Sequence, residues 1–463
     1  MLEGSLNALN ARELGMGRTP NTALAALMVE AGWGNGQLAR AVNRAGAEAG
    51  LTLNYSASTV TYWLRGSLPK EPARVIVAEA FARRVRRPVT CAELGFPDTG
   101  ADADSERGTR GLAGLVRNDM DPSRRGVLAT GLYSAALMVP RFSDLGDRLD
   151  GSEEDRRAGR TVRVGAGEVA TVRKMTDHIA TILDDLGGGH ARPMAAAFLA
   201  NTVLSWLEAD ATPKVREEMR SAASDFVYLT GWMAMYERAH GLGQRYFVQA
   251  LDLAREAGDQ LTYCRTLRGM ALQASNLGHG SKALEHADSA AEAAPSAGPR
   301  LVAFLRGQQA HGAAMVKDRR QAFARLREAE EALARADGRN DAVGGYDQAA
   351  YHFHVSHVLY ELGDLPGSVK AMQRSNRARP SHERQGRVHA HGVLAARQWE
   401  LGHVEAACET WDRFLDDYTV LSTARGDEHF GVLRKHVASQ PGSRAVRGLG
   451  ERVRVVAERK AAA

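Results

Sequence analysis

Five times between residues 242 and 407 the chain returns to one pattern, a Leu-Gly pair or its substitute followed five residues later by a small side chain. The pairs are Leu242-Gly243, Leu277-Gly278, Leu362-Gly363 and Leu401-Gly402, with Val316-Lys317 holding the corresponding place in a fifth copy. The residues five beyond are Val248, Ala283, Ser368, Ala407 and Ala322. Successive copies along the chain lie 35, 39, 46 and 39 residues apart, close to one helix-turn-helix unit each. Gly after Leu ends a helix in the left-handed conformation, and the small residue lets the next helix approach closely. The region therefore reads as a stack of helical hairpins.

The residues upstream continue the theme. Val169, Val172, Met175, Ile179, Ile182 and Leu186 recur at the spacing of one helix face, and Gly187-Gly188-Gly189 stops that helix. Pro193 starts another carrying Phe198, Val203, Trp206 and Leu207, and a longer one runs from about Pro213 to Ala239. Period-two alternation is almost absent. With Ala abundant and only 14 Pro in 463 residues, the expected fold class is all-α, because Ala loses no side-chain entropy in a helix.

The segments HVLYELGDLPGSVKAMQRS (357–375), ARQWELGHVEAACETWDRF (396–414) and ALQASNLGHGSKALEHADSAAEAAP (271–295) resemble tetratricopeptide (TPR) repeats, with Pro295 at the usual terminating place. The resemblance covers residues 225 to 420 and implies an α-solenoid over 168–440, followed by a basic tail or capping helix over 441–463. Solenoid grooves bind extended peptides or partner helices. Arg265, Arg268, Gln273, Asn276, Gln308, His311, His354 and His357, on the first helices of repeats, are the candidate effector groove.

Residues 1–97 hold eleven Lys/Arg against seven Glu, and the other 366 residues hold 49 basic against 48 acidic. Almost all of the +5 charge is therefore N-terminal. Here Asn21 or Thr22 can cap a helix with Leu24, Leu27 and Met28, and a second helix from Gly36 puts Leu38 and Val42 on one face. The third, Ser56 to Gly66, has Val60, Trp63 and Leu64 behind and Ser58, Thr61, Tyr62 and Arg65 in front. Such a front of hydroxyls, Tyr and Arg suits the major groove of DNA.

This segment resembles the XRE-like (Cro/C1-type) helix-turn-helix family over residues 20 to 96. Gln37-Leu38-Ala39, Ser58-Thr59-Val60-Thr61, Arg65-Gly66 and Pro69 carry the likeness, Pro72 to Arg84 matches the fourth helix, and Val89-Thr90 with Glu93-Leu94 matches the fifth. It departs in two places. The connection Ala45 to Tyr55 is about ten residues longer than the family's tight turn, and Leu64 stands where an acidic residue often precedes Arg-Gly. The resemblance implies double-stranded DNA as partner, with Gln37 on a phosphate and the outer face of the third helix on bases. The site expected is Gln37, Arg40, Ser56, Ser58, Thr59, Thr61, Tyr62, Arg65 and Lys70, with Arg44, Arg74, Arg83, Arg84, Arg86 and Arg87 as further phosphate contacts. A net charge this modest calls for a homodimer reading two half-sites.

Residues 98–125 are polar, Gly-rich and without helical period, and read as a flexible linker. Residues 126–167 read as a junction helix and loop; Arg124-Arg125 and the apolar stretch to Pro140 mimic a twin-arginine signal but are too short to span a membrane. Cys91, Cys264 and Cys408 have no zinc-ligand spacing and fit a reducing cytoplasm. Gly165-Ala166-Gly167 lacks the rest of a dinucleotide loop, and groove lining explains His354, His357 and Glu361 more simply than metal binding does. No cofactor, metal, membrane anchor or catalytic group is expected. The whole resembles actinobacterial helix-turn-helix/TPR regulators of development and secondary metabolism, and more distantly the peptide-pheromone receptors of Gram-positive bacteria. The alternative is a TPR adaptor that joins proteins without specific DNA binding.

Overall fold

The computed structural model describes residues 19–49, 51–70, 73–85, 87–97, 108–120, 133–135, 137, 139, 142, 163–293, 298–336, 346–441 and 443–462. Pro72, Arg86, Arg124, Arg125 and Pro295 lie outside the described residues, as do 98–107 and most of 121–162. The chain divides into two compact units, one of residues 1–105 with 126–138, the other of residues 106–125 with 139–463.

In the first unit, α1 (Thr22–Ala31), α2 (Asn35–Glu48), α3 (Ala57–Leu64) and α4 (Ala73–Val85) surround a core that includes Leu24, Leu38, Val42, Val60, Trp63, Ile76, Phe81 and Leu94. Asn21 sets the start of α1 twice over. Its Oδ1 accepts from the Leu24 N–H at 2.8 Å, while its Nδ2 donates to the Leu94 carbonyl at 2.8 Å. Gly32, at φ +63°, ends the helix with the left-handed turn that glycine adopts without strain.

The expected fifth helix is instead a turn over residues 91–95, in which the Leu94 and Phe96 N–H groups both bond to the Cys91 carbonyl. Five residues cannot repay helix nucleation, and Gly95 at φ +67° leaves the helical region. The long connection after α2 is packed. Leu51, Leu53 and Tyr55 are half-buried against the core while Thr52 and Asn54 face solvent. Asn43 brackets Tyr55, its Nδ2 donating to the Tyr55 carbonyl and its Oδ1 accepting from the Tyr55 N–H, both at 2.9 Å. The Tyr55 ring then meets Trp63 edge-on at 5.0 Å, which positions α3. Asn43→Ala should cost about 1–3 kcal/mol. Hydrogen-exchange mass spectrometry on the full chain should show faster exchange over 51–64, and unchanged exchange there would remove the bracket's role.

The second unit contains no β-strand among the described residues, and its one extended pairing is an isolated bridge between Arg163 and Asp210. It opens with α5 (Gly108–Met120), a correction to the linker expectation. Leu112, Leu115 and Val116 are buried in the unit's core, and Asp119, 3% exposed, pairs with Arg192 and accepts from Tyr246 Oη at 2.9 Å. Gly108, Gly111 and Gly114 dilute the apolar pattern, so docking rather than intrinsic propensity holds this helix. Of the expected junction helix, residues 133–135, 137 and 139 are described and none is helical.

Next come α6 (Ala166–Leu186) and α7 (Gly188–Phe198), the latter continued by a π turn (Leu199–Val203) and a last turn (Leu204–Leu207). Pro193 lies inside α7 rather than at its start, because Gly187 alone ends α6. Helical hairpins follow: α8 (Pro213–Tyr236) with α9 (His240–Glu256), α10 (Gln260–Asn276) with α11 (Gly280–Glu292), and α12 (Pro299–Met315) with α13 (Arg319–Ala334). Then come α14 (Gln348–Glu361) with α15 (Leu365–Ala378), α16 (Arg384–Glu400) with α17 (Val404–Tyr418), and finally α18 (Ala424–Ser439) and α19 (Arg444–Ala462). Val446, Leu449, Val453 and Val456 of α19 are buried in one core with Trp411, Phe414 and Leu433, so this segment is a packed helix.

Each hairpin turns on a residue of positive φ: Arg238 (+61°), Gly278 (+79°), Lys317 (+66°), Gly363 (+87°) and Gly402 (+82°). Five residues later stand Gly243, Ala283, Ala322, Ser368 and Ala407, all buried. The first copy was therefore misaligned by the sequence pattern. Leu242-Gly243 does not end a helix and lies within α9, where Gly243 is itself the small residue. A Cβ on Gly243 would sit 3.0 Å from the Gly231 carbonyl oxygen, so the turn falls on Arg238 and close packing on the glycine.

The unit closes on itself. The Ser422 N–H bonds the Leu186 carbonyl at 2.8 Å, Gly189 N–H bonds the Ser422 carbonyl at 3.0 Å, and Arg384 reaches the Asp185 carbonyl at 3.0 Å. Glu237 accepts from the Ala424 N–H, and Arg238 pairs with Glu428. These contacts join α6, α7 and the end of α8 to α16 and the start of α18.

Candidate functional site

On the first unit, α3 buries Val60 and Trp63 and turns its other side outward. Tyr62 is 59% exposed, and Ser56, Ser58 and Arg65 are exposed. Thr59 and Thr61 are half-buried and engaged. Thr59 Oγ1 takes the Ser56 N–H, and Thr61 Oγ1 donates to the Ala57 carbonyl and accepts from Asn35 Nδ2 at 3.0 Å. That last bond, which sequence reasoning missed, seats the start of α2 beside α3. Gln37 is exposed with its Oε1 held by the Gly34 N–H at 2.8 Å, leaving its Nε2 to donate outward. Leu64, the departure from the acidic position, packs on the core.

The basic residues separate into two groups. Arg40, Arg44, Arg65 and Lys70 are exposed and form no ion pair among the described residues. The phosphate-contact expectation for three others is corrected, because acidic or carbonyl partners hold them. Arg83 bridges Glu48 and Glu79, Arg84 bonds the Ala31 carbonyl at the end of α1, and Arg87 bridges Glu30 and Glu93. Arg74 Nε bonds the Pro69 carbonyl.

In the second unit, most of the expected groove is filled by its own side chains. Arg268 is buried with its guanidinium 3.9 Å from the Phe304 ring centre and donates to Tyr228 Oη; Gln273 bonds the His240 carbonyl, and Gln308 bonds Ser275. His354 meets Tyr346 Oη at 3.0 Å, and His311 lies against His357 at 5.0 Å. Arg265 pairs with Asp225. Of the eight residues Asn276 alone lines a cavity of about 340 Å³ in this unit, a volume within the small-ligand range. Sequence reasoning missed the rest of its wall, which includes Tyr360, His389, Arg397, Arg425 and His429. One signal was present: Arg397 stands five residues before Gly402, as Gln273 stands five before Gly278.

Five histidines in and beside this chamber are held neutral. Burial pushes His311 down to about 4 and His429 to about 3, helped by the charges of Arg397 and Arg425 respectively. His354, His357 and His389 lie well below the ordinary imidazole value for the same first reason. Burial also lowers Arg397 to about 10. Among the described residues no group of three or more His, Cys, Asp or Glu is arranged to hold a metal ion, and no helix is long and apolar enough to cross a membrane. All three cysteines are buried.

A family model described as the SP15 N-terminal domain matches residues 24–97. These hold most of α1 and all of α2 to α4. Among the described residues the chain is all-α, with its second unit a stack of helical-hairpin repeats. The chain is similar to a solved structure titled "Crystal Structure of Rap Protein Complexed with Competence and Sporulation Factor", at 15% identity and a TM-score of 0.34, over 63% of this chain and 88% of that one. No curated protein matches.

Proposed function

We propose that the protein is a sequence-specific DNA-binding transcriptional regulator whose helical-repeat unit receives an effector. The observation that carries the reading is the outward face of α3. A short helix anchored by Val60 and Trp63 offers Ser58, Tyr62 and Arg65 to solvent, beside the exposed Gln37 and Arg40 of α2. Hydroxyl, phenol and guanidinium groups read base edges, while Arg40, Arg44 and Lys70, uncancelled by carboxylates, attract phosphates. The reading includes a homodimer on two half-sites, with an effector that favours one spacing of the DNA-binding heads over another.

The test begins with selection of operators from random duplexes by the full chain. Tyr62→Ala and Arg65→Ala should each weaken binding to the selected operator by about 1–3 kcal/mol, roughly 5- to 150-fold. Arg40→Ala should lower affinity evenly across sequences and reduce the salt slope by about 0.9. Arg87→Ala, whose side chain is already paired, is the control. Normal operator binding by the Tyr62 and Arg65 variants would remove α3 as the reading helix, and salt-insensitive binding would favour a protein adaptor.

A further inference from the structure

The chamber holds two guanidinium groups that touch no carboxylate among the described residues; Glu361 and Glu400 act on Arg397, and Glu428 on Arg425, only from further off. Arg397 is 6% exposed; its Nη1 donates to Ser356 Oγ at 2.6 Å and Ser368 Oγ at 2.9 Å, its Nη2 donates to His357 Nδ1 at 3.3 Å, and its face lies 4.2 Å from the Tyr360 ring centre. Arg425 donates to His389 Nε2 at 2.6 Å and Asn276 Oδ1 at 3.4 Å and lies over the Tyr236 ring at 4.9 Å. Among the described residues neither has a carboxylate oxygen within 4.0 Å. The two acidic residues of the wall are otherwise employed, Glu428 with Arg238 and Glu400 with the Tyr360 hydroxyl.

The hydrogen bonds also set the protons. A guanidinium only donates, so His357 Nδ1 and His389 Nε2 must present lone pairs, and both rings carry their proton on the other nitrogen. His389 Nδ1 then donates to His429 Nε2 at 2.9 Å, whereas His357 Nε2 is buried with no acceptor. The site thus offers two guanidinium groups, with Met235, Val393, Ala396 and Val432 as its apolar wall. Burying a guanidinium without an anion is unfavourable, and a carboxylate or phosphate answers its fork of donors in a way no neutral group does.

We propose that this chamber binds a small amphipathic oxyanion, a carboxylate or phosphate on an apolar body, between Arg397 and Arg425, and that binding holds the helical-repeat unit closed. The second part follows from where the wall comes from. Met235, Arg238 and Asn276 stand on one side of the closure, and Arg425, Glu428 and Val432 on the other. A ligand that bridges them adds to the Ser422, Glu237 and Arg238 contacts already made across it. The site is the effector site of the regulator described above and rests on that reading, but its test uses no DNA, so the two can fail separately.

The test compares phenyl phosphate and benzoate, which share a body and differ in head group, with sodium chloride at matched ionic strength, by thermal melting of the full chain. The expected result is a saturable rise in Tm of about 2 °C or more with one of them, together with slower exchange of the Ser422 and Gly189 amides. Phenyl phosphate alone acting assigns a phosphate, benzoate alone a carboxylate. Arg425→Gln should abolish the rise. Because Arg425 also leans on Tyr236 and Asn276, Val432→Trp provides a second route: it fills the chamber and leaves both guanidiniums in place. No rise with either probe, or a rise undiminished in both variants, would overturn the proposal.

Discussion

Asp119→Ala is expected to destabilise the helical-repeat unit by about 3–5 kcal/mol. Asp119 lies one residue from the end of α5, buried, with one oxygen on Arg192 and the other accepting from the Tyr246 hydroxyl at 2.9 Å. Its removal takes from the Arg192 guanidinium its directly paired carboxylate in a largely dry setting and from Tyr246, itself wholly buried, the acceptor of its hydroxyl. The loss should appear as a lower denaturation midpoint of the full chain and rapid amide exchange over 108–120. Asp119→Leu with Arg192→Met, which removes both charges while keeping apolar volume, should recover most of it. A loss below about 1 kcal/mol, the scale of an exposed ion pair, would mean that α5 only decorates the unit.

Acid lability is the second large effect. His286, His311 and His391 sit at about 4 and His429 at about 3, all through burial first. In the unfolded chain each protonates near 6.5, so below that pH the unfolded state holds more protons and folding stability falls as pH falls. Each histidine contributes up to about 1.4 kcal/mol per pH unit between roughly 6.5 and its folded value. Asp184 and Glu237, both raised to about 7 by burial, act in the opposite sense, losing stability as pH rises from their unfolded range to about 7. Asp184 is acted on by Glu383, His382, Asp185 and Arg379, Glu237 by the Ala424 N–H, Arg192, Asp427 and Lys460. The histidines outnumber the two acids, so Tm should peak between about pH 6 and 7 and drop steeply toward pH 5. A flat profile from pH 7 to 5 would show that these rings reach water.

Much of the secondary structure was legible because helix signals are local. Leu24, Leu27 and Met28, or Val60, Trp63 and Leu64, announce a face within two turns. The hairpin turns at Gly278, Gly363 and Gly402 show themselves through glycine. Lys317 takes the same left-handed turn without glycine and was found only through its register. Arg238 was missed because the Leu-Gly signature fell on the neighbouring packing glycine instead. Helix α5 was hidden for a related reason: three glycines outweighed Leu112, Leu115 and Val116, whose spacing was correct, and its stability comes from groups distant in sequence.

For the candidate sites the division is sharper. Exposure of Tyr62 and Arg65 followed from the apolar back of α3, and the sequence alone determined that helix, the hairpin repeat and the concentration of charge near the N-terminus. It did not show which arginines were already occupied, since Arg83, Arg84 and Arg87 find partners between 4 and 57 residues away. Nor did it reveal that the groove would be filled by Arg268, Gln308, His311 and His354. Only the tertiary structure decided the closure that makes the chamber. Arg238 meets Glu428 across 190 residues and Arg384 meets Asp185 across 199. Helix periodicity is set by neighbours three and four residues apart, whereas closure depends on the accumulated rotation of every hairpin between its two ends.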